Sequence, residues 1–432
     1  MKLFGLVKGN ISIIVFIACL FAAIYVGGTL QPTLLMVALG VMLVTKKENI
    51  AICFIAQTFM CDNLEVMPSF SFASIAALIL IVRCLIIGKT KILSHKKLFV
   101  ILSLFAVHLL SVAFWNNTII NVVRFIMNIF VLYYYMHFSE IFKKKSPVLL
   151  PSVISITVML ASLLGLNSPH SVDEFGIIRF SGIWIDDNFC GMYCILGIIS
   201  SIYAVILSRK TILFAVPSII ISVYMGSLAM SRTFIYVMII LAFLLMVHLS
   251  LNKSFGKIYK LFLVFACVAG TVYFLNHIAS SIIEHRGIIS DTGDVTNGRL
   301  TASLESLEAW EKNPVTWFTG IGASNTYNYK ILLGIHPKGS HNTYLDFLVE
   351  FGVFAFIYIL CVVVKFLRKF ISEISYTLPY TVFFAVVVLF YMGTLTMCQY
   401  SIIYIAFGMI FNYLNTPPDS NNISNTEIIT NR

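Results

Sequence analysis

Charge is scarce in this 432-residue chain. Asp, Glu, Lys and Arg together make up 11% of it, where soluble domains carry roughly 25%. Apolar residues take that room: they are 59% of the chain, and the mean hydropathy is +0.93. The balance argues against a soluble fold and for a helical membrane protein. A small-residue cleavage site is also missing behind Lys2, Lys8 and the apolar run they precede. That run is expected to remain as a first anchor, not to leave as a signal peptide. No internal repeat is evident. The nine cysteines follow no metal or disulfide spacing. Cys19, Cys53, Cys84, Cys267 and Cys361 lie inside apolar runs, and Cys190 and Cys194 share a helix face with no Cys or His partner nearby. Small buried helix residues are expected, without a disulfide framework or a metal site.

Acid is scarcer than base, which leaves a formal charge of +10. A nucleic-acid partner is not implied, because the lysines sit in short clusters between apolar runs. That is a membrane-orientation signal. Spans of mostly apolar residues are expected near 10–30, 31–45, 50–61, 69–87, 98–114, 118–138, 148–166, 189–208, 211–229, 233–250, 260–278, 343–366, 377–398 and 401–414. That makes about 12–14 crossings, several of them short of the ~20 residues of a full span. The clusters Lys46-Lys47, Lys89 to Lys97, Lys143-Lys144-Lys145, Arg209-Lys210, Lys253 to Lys260 and Arg368-Lys369 fall at every second connection. Those connections are expected in the cytoplasm, with both termini. Residues 1–414 read as one integral membrane domain, and 415–432, rich in Asn, Thr, Ser and Pro, as a disordered cytoplasmic tail.

The alternate connections are then external: Cys61 to Glu65, Trp115 to Asn117, Asn167 to Asn188, Ser231-Arg232, and a large polar loop at 279–342. Arginine is unwelcome there unless something requires it. Arg179, Arg232, Arg286 and Arg299 all lie on that side. A guanidinium binds phosphate through a planar, permanently charged fork, so the set could hold a diphosphate at the outer leaflet. Each could instead pair with a local acid, such as Arg179 with Asp186 or Asp187, and Arg299 with Asp294. Arg232 sits on a hairpin that is the whole connection between two spans. It suits a lipid headgroup, or it snorkels to the interface.

Arg124 lies inside the sixth span, with Asn121 and Asn128 on the same helix face. Such a charge faces a bundle interior or a water-filled path. It either lines the way of a polar substrate or ties helices together through the two amides. His341 opens the span after the loop, and Asn342 or Thr343 reads as its N-cap. The helix N-terminus favours an anion, and a histidine there can take a proton from a hydroxyl near neutral pH. The bland alternative is a polar interface residue preceding a cap. Asp346 and Glu350 lie one to two turns further in and need partners, with Arg232 or Arg299 as candidates. No Asp-x-Asp motif occurs in an external connection, which disfavours a metal-dependent transferase.

These residues form an ordered set. His341-Asn342, nine residues, Gly352, two residues and Ala355 resembles the closing motif of the bacterial O-antigen ligase and polymerase superfamily, with Ala355 where Gly, Thr or Tyr is usual. Arg179-Phe180-Ser181-Gly182 with Asp187-Asn188 resembles its Arg-x-Ser-Gly with a downstream Asn opening a helix. Ser231-Arg232-Thr233 resembles its Ser-Arg-Thr/Ser turn. Gly298-Arg299, Trp310, Asn313-Pro314 and Gly320-Ile321-Gly322 resemble its large loop. The resemblance covers roughly residues 170–360.

It implies a metal-independent GT-C-type glycosyltransferase, without a cofactor, in the bacterial inner membrane. The fold would be an all-α polytopic bundle with its active site on the periplasmic side. The donor would be an oligosaccharide on undecaprenyl diphosphate. Arg232 and Arg299 would grip the diphosphate and His341 would activate the acceptor hydroxyl. Arg179, Asn188, Arg286, Asn342, Asp346 and Glu350 are the further candidates to line the substrate path, and Arg124, outside the stretch of resemblance, is a candidate from its place in the sixth span. Besides the lipid-linked donor and membrane lipid, the pathway's flippase and chain-length regulator are expected partners. A polymerase is preferred to a ligase that moves finished chains to lipid A–core. A flippase is disfavoured, because polar groups gather on one side and no pseudo-symmetry is evident.

Overall fold

Apolar segments in lipid must satisfy every backbone group internally, which leaves the helix as the economical solution. The computed structural model follows that rule. It describes residues 2–60, 64–67, 70–83, 95–137, 139, 142, 145–166, 171–172, 178–184, 186–251, 261, 265, 272, 276, 299–337, 339–374 and 378–416. Among the described residues ten helices precede the large loop: α1 Lys2–Val26, α2 Gln31–Val44, α3 Lys47–Thr58, α4 Phe72–Leu80, α5 His95–Phe114, α6 Ile119–Tyr135, α7 Leu149–Gly165, α8 Asp187–Leu207, α9 Ile212–Leu228 and α10 Arg232–Leu251. The loop carries α11 Arg299–Glu311, α12 Pro314–Thr319 and α13 Thr326–Leu332. The last three are α14 Thr343–Glu373, α15 Tyr380–Met392 and α16 Ser401–Asn415. Two antiparallel ladders sit in connections: β1 Glu65–Met67 with β2 Phe70–Ser71, and β3 Ser171–Val172 with β4 Ile178–Arg179.

Among the described residues three helices are long and apolar enough to cross a membrane: Asp187–Leu207, Arg209–Leu228 and Thr343–Glu373. Nine more are apolar but shorter, at 10–17 residues. The expected spans therefore recur as helices, many shorter than a full crossing. The span expected at 260–278 lies largely outside the described residues, as do Arg286, Asp294 and the tail beyond Thr416.

One apolar core runs from α1 to α16. The α8 helix is its axis and is buried along most of its length. It packs on α7, α9 and α15. Small hydroxyls tie these helices together without bulk: Ser155 Oγ lies 2.7 Å from Ser201 Oγ, and Ser200 Oγ 2.6 Å from the Tyr380 hydroxyl. Such groups suit helices that meet inside lipid. The outward faces stay apolar, with Leu213, Ile220 and Phe354 more than half exposed.

The connections segregate into two groups, each held together by its own contacts. One group contains the turns at 45–46, 83, 145, 374 and 416. Arg83 donates to Thr45 O (3.1 Å), and Lys145 Nζ to Asn10 Oδ1 (2.9 Å) and Asn49 Oδ1 (2.5 Å). Lys369 Nζ donates to Tyr413 O and Thr416 O, both at 2.7 Å. This is the lysine end. The other group contains the turns at 59, 115–118, 178–188, 228–232, 320–326, 340–343 and 394–401. This is the loop end. Lys145 and Lys369, from two of the clusters expected on one face, lie in the first group, while the clusters at 89–94, 143–144 and 253–260 fall outside the described residues.

One expectation needs correction. The span at 343–366 is not a continuous helix. Gly352 interrupts α14 with φ 81° and ψ 174°, and the helix resumes beyond it.

A polar site at the loop end of the bundle

The break in α14 releases two carbonyls, and the loop takes them up. Ile321 N donates to Val349 O (3.0 Å) and Gly322 N to Glu350 O (3.1 Å). Contact is backbone on backbone. A Cβ on Gly320 would sit 2.2 Å from Glu350 O, and one on Gly352 would sit 2.3 Å from Phe318 O. Both glycines also have positive φ, where an L side chain costs about 1–2 kcal/mol. The two glycine motifs, 30 residues apart in the sequence, are the two halves of one joint.

The loop's own sequence explains its shape. Asn313 caps α12 through Val315 N (3.0 Å), Pro314 takes the first helical position, and Gly320 ends it. Pro is favoured there because its missing N–H would be unpaired anyway. Trp310 Nε1 donates to Thr316 O (2.9 Å). Ala309, Ile321, Tyr329 and Val349 make a small core of their own. The α5–α6 connection then clasps the loop. Asn117 Nδ2 donates to Ala323 O (3.3 Å), Asn121 Nδ2 to Ser324 O (3.0 Å), and Asn325 Nδ2 to Trp115 O (2.8 Å).

His341 stands where the loop meets α14, half-buried and with φ 52°. Its N–H donates to Thr396 Oγ1 (3.1 Å). Asn342 is the N-cap, as expected, with Oδ1 accepting from Leu345 N (3.2 Å). Thr343 is buried, and its hydroxyl bonds Leu395 O and accepts from Met397 N (3.0 Å). The 394–401 connection thus fixes the start of α14.

Asp346 and Glu350 of α14 are both buried, and their partners differ from the arginines anticipated. Asp346 Oδ1 lies 2.5 Å from Ser340 Oγ. Glu350 accepts from Ser324 N (2.8 Å) and Thr326 Oγ1 (3.1 Å). Loop hydroxyls and a backbone N–H supply these donors without a second full charge, which avoids desolvating an ion pair. The nearby cation is Lys330, whose charge acts on Asp346. It is fully buried, with Nζ 3.5 Å from Glu305 Oε2 and 3.2 Å from Ala302 O. Burial lowers the Lys330 ammonium from its ordinary range, and Glu305 opposes that shift.

Arg299 is the first residue of α11. One turn later Ser303 Oγ donates to Ser340 O (3.0 Å), so this end of α11 lies against the residue before His341. Arg232 is the first residue of α10. Beside it the buried Ser231 donates to Asn188 Oδ1 (2.8 Å), which joins the Ser-Arg-Thr turn to the start of α8. Asp186, not Asn188, is the cap of α8, accepting from Asn188 N and Phe189 N. Arg179 forms an ion pair with Asp187, the local-acid alternative. Phe180 N donates to Leu228 O (3.2 Å) and seats this segment on the end of α9. Phe189 meets the Tyr400 ring at 4.8 Å, so the 394–401 connection touches both halves of the site.

Arg124 lies on the far side of that connection. It lines a cleft of ≈ 180 Å³ with Glu65, Ser74, Asn128, Gln399, Tyr400 and Ser401. Asn128 donates to Gln399 O (3.3 Å) and accepts from Ser401 Oγ (2.9 Å). Among the described residues, the amides Asn121 and Asn128 tie elements together on their own, without the Arg124 contact that one reading of this face anticipated.

Sequence reasoning missed the residues that hold these groups: Thr396, Ser340, Asn117, Ser324 and Lys330. Nothing in their local pattern marks them, because their partners are 6–206 residues away. All four non-glycine residues with positive φ among those described, Asn116, Met230, Ser324 and His341, are at this end. Such outliers cost of order 1–3 kcal/mol each and gather where surrounding structure imposes them, commonly at functional sites.

Residues 217–360 match a protein family described as O-antigen ligase. The matched segment contains Arg232, Arg299, His341, Asn342, Asp346, Glu350 and both glycine motifs. It leaves out Arg124, Arg179 and Asn188. No curated protein matches the chain.

Proposed function

We propose that this membrane protein, whose residues 217–360 match the O-antigen ligase family, belongs to the O-antigen ligase/polymerase superfamily and is a surface-polysaccharide polymerase. It moves undecaprenyl-diphosphate-linked repeat units onto a growing glycan at the outer face of the inner membrane. The observation that carries the reading is the joint between loop and α14. Beside it, Ser303 of α11 bonds Ser340, and Thr396 holds His341 while Tyr400 of the same connection meets Phe189, next to the Asn188 that Ser231 bonds.

The chemistry follows from those groups. Lipid diphosphate leaves readily once its developing charge is neutralised. Fixed guanidinium groups of Arg232 and Arg299 do this without reorganising. His341 takes the proton of the attacking hydroxyl, a contribution of about 10²–10⁴-fold. Holding two large substrates in register supplies much of the remainder. Neither base nor cation here needs a bound metal. Arg179, engaged with Asp187, shapes the segment that carries Asn188.

Deletion of the protein, with gel analysis of surface polysaccharide, tests the reading. A polymerase mutant keeps single repeat units on the acceptor. Accumulated lipid-linked polymer would identify a ligase instead, and single units trapped inside would identify a transporter. Unchanged surface polysaccharide would sink all three.

A further inference from the structure

The Arg124 cleft plays no part in the transfer step, yet it is built to bind something. Its ≈ 180 Å³ would hold about six waters at ~30 Å³ each, which is room for one sugar ring. Arg124 is half-buried in the second turn of α6. Among the described residues no carboxylate lies within 4.0 Å of it and no hydrogen bond holds its guanidinium. A charge so placed in an apolar helix calls for a polar neighbour. The other walls are already tied down: Asn128 by Gln399 and Ser401, and Ser74 Oγ by Ser71 Oγ at 2.8 Å. The cleft is therefore a fixed frame with one array of free donors.

The exposed Glu65 also lines it. Among the described residues that line it, the cleft offers one cation and one anion, so those ionised groups balance. That balance favours a neutral ligand rich in hydroxyls over an anion. Tyr400 adds an aromatic wall. The same connection that supplies Gln399, Tyr400 and Ser401 also holds His341 through Thr396. A ring in the cleft would sit along the chain from the reacting centre, apart from the arginine turns.

We propose that this cleft is a sugar subsite, in which Arg124 and Glu65 hold the hydroxyls of an uncharged ring of the acceptor glycan. That the ring belongs to the acceptor rests on the transfer reading; that it is a sugar does not. The test uses the full-length protein in lipid nanodiscs. The probe is the host's own repeat-unit oligosaccharide, freed of lipid by mild acid, with binding measured by calorimetry. Wild type should bind it. Arg124→Gln should weaken binding at least about tenfold, and Ser74→Phe, which fills the cleft from α4 without touching Arg124, should do the same. Should Arg124→Gln fail to fold, Ser74→Phe still decides. No binding by wild type, or equal binding by wild type and a folded variant, would overturn the subsite. The two readings fail separately. Polymer lost on deletion, with no glycan bound by wild type, removes only the subsite. Glycan binding lost in Arg124→Gln, with surface polysaccharide intact in the deletion strain, removes only the transfer reading.

Discussion

The two ends of the bundle spend their polar groups differently. At the lysine end, cations close off helix C-termini. Lys369 donates to two terminal carbonyls of the α16 segment and stacks 4.6 Å from the Tyr413 ring centre. Arg83 serves the end of α2. These contacts complete helices and complement their dipoles. At the loop end, amides, hydroxyls and backbone N–H groups do the holding, around acids and strained residues. Charge at one end finishes the fold, and at the other end the fold is arranged to position charge.

That contrast can be broken outright by labelling. Cysteine at Glu308, whose side chain is 57% exposed, in a background without native cysteines, should react with an impermeant thiol reagent in intact spheroplasts. Cysteine at Lys312, on the same exposed edge, should behave alike. Reaction only after membrane disruption would put the loop end in the cytoplasm and remove every role assigned to it.

Changes within the site come next. His341→Gln keeps hydrogen bonding but cannot take a proton, so polymer should vanish while protein level and thermal midpoint hold. Normal chain length at normal expression would reduce His341 to positioning the acceptor. Gly352→Ala should follow closely, by a different route. It adds about 1–2 kcal/mol of backbone strain and an overpacking cost of about 1–3 kcal/mol, and it undocks the loop. Expected are a lower thermal midpoint and loss of most polymer. A midpoint equal to wild type would contradict the joint.

Asn342→Ala should cost about 0.5–2 kcal/mol and leave polymer shortened but present. The smallest effect on product is expected at the opposite end. Lys369→Met should lower stability by about 1–2 kcal/mol with polymer length unchanged. Polymer lost in that variant at normal protein level would mean that the two ends are not separate in function.

Much of this division could be read from the residues. Apolar run lengths gave the helices, and clustered lysines gave the alternation of connections, because both signals are local. The cap at Asn342 was legible for the same reason. The break in α14 was not. Gly352 inside an apolar run looks like a small residue in a span until Gly320 and Gly322 are seen against it. The partners of Asp346 and Glu350 were misjudged because arginine is the obvious partner of a buried acid. Here Ser340, Ser324 and Thr326 stand nearer, as loop residues with no motif of their own. The Asn117 and Asn121 clasp likewise depends on contacts more than 200 residues apart in sequence.

The joint at Gly352 has a mechanical consequence. The segment 343–351 is clamped by the loop, by Thr396 and by Met397. The segment 353–373 carries Phe354, Ile357, Tyr358 and Ile371, each more than half exposed on the apolar surface. A bilayer that thickens or thins makes apolar helices tilt. In this molecule such a tilt acts on the lipid-exposed half beyond Gly352, and a single non-helical residue separates that half from the site. The position of His341 and the start of α14 is therefore referenced to the polar loop and not to the thickness of the membrane around it.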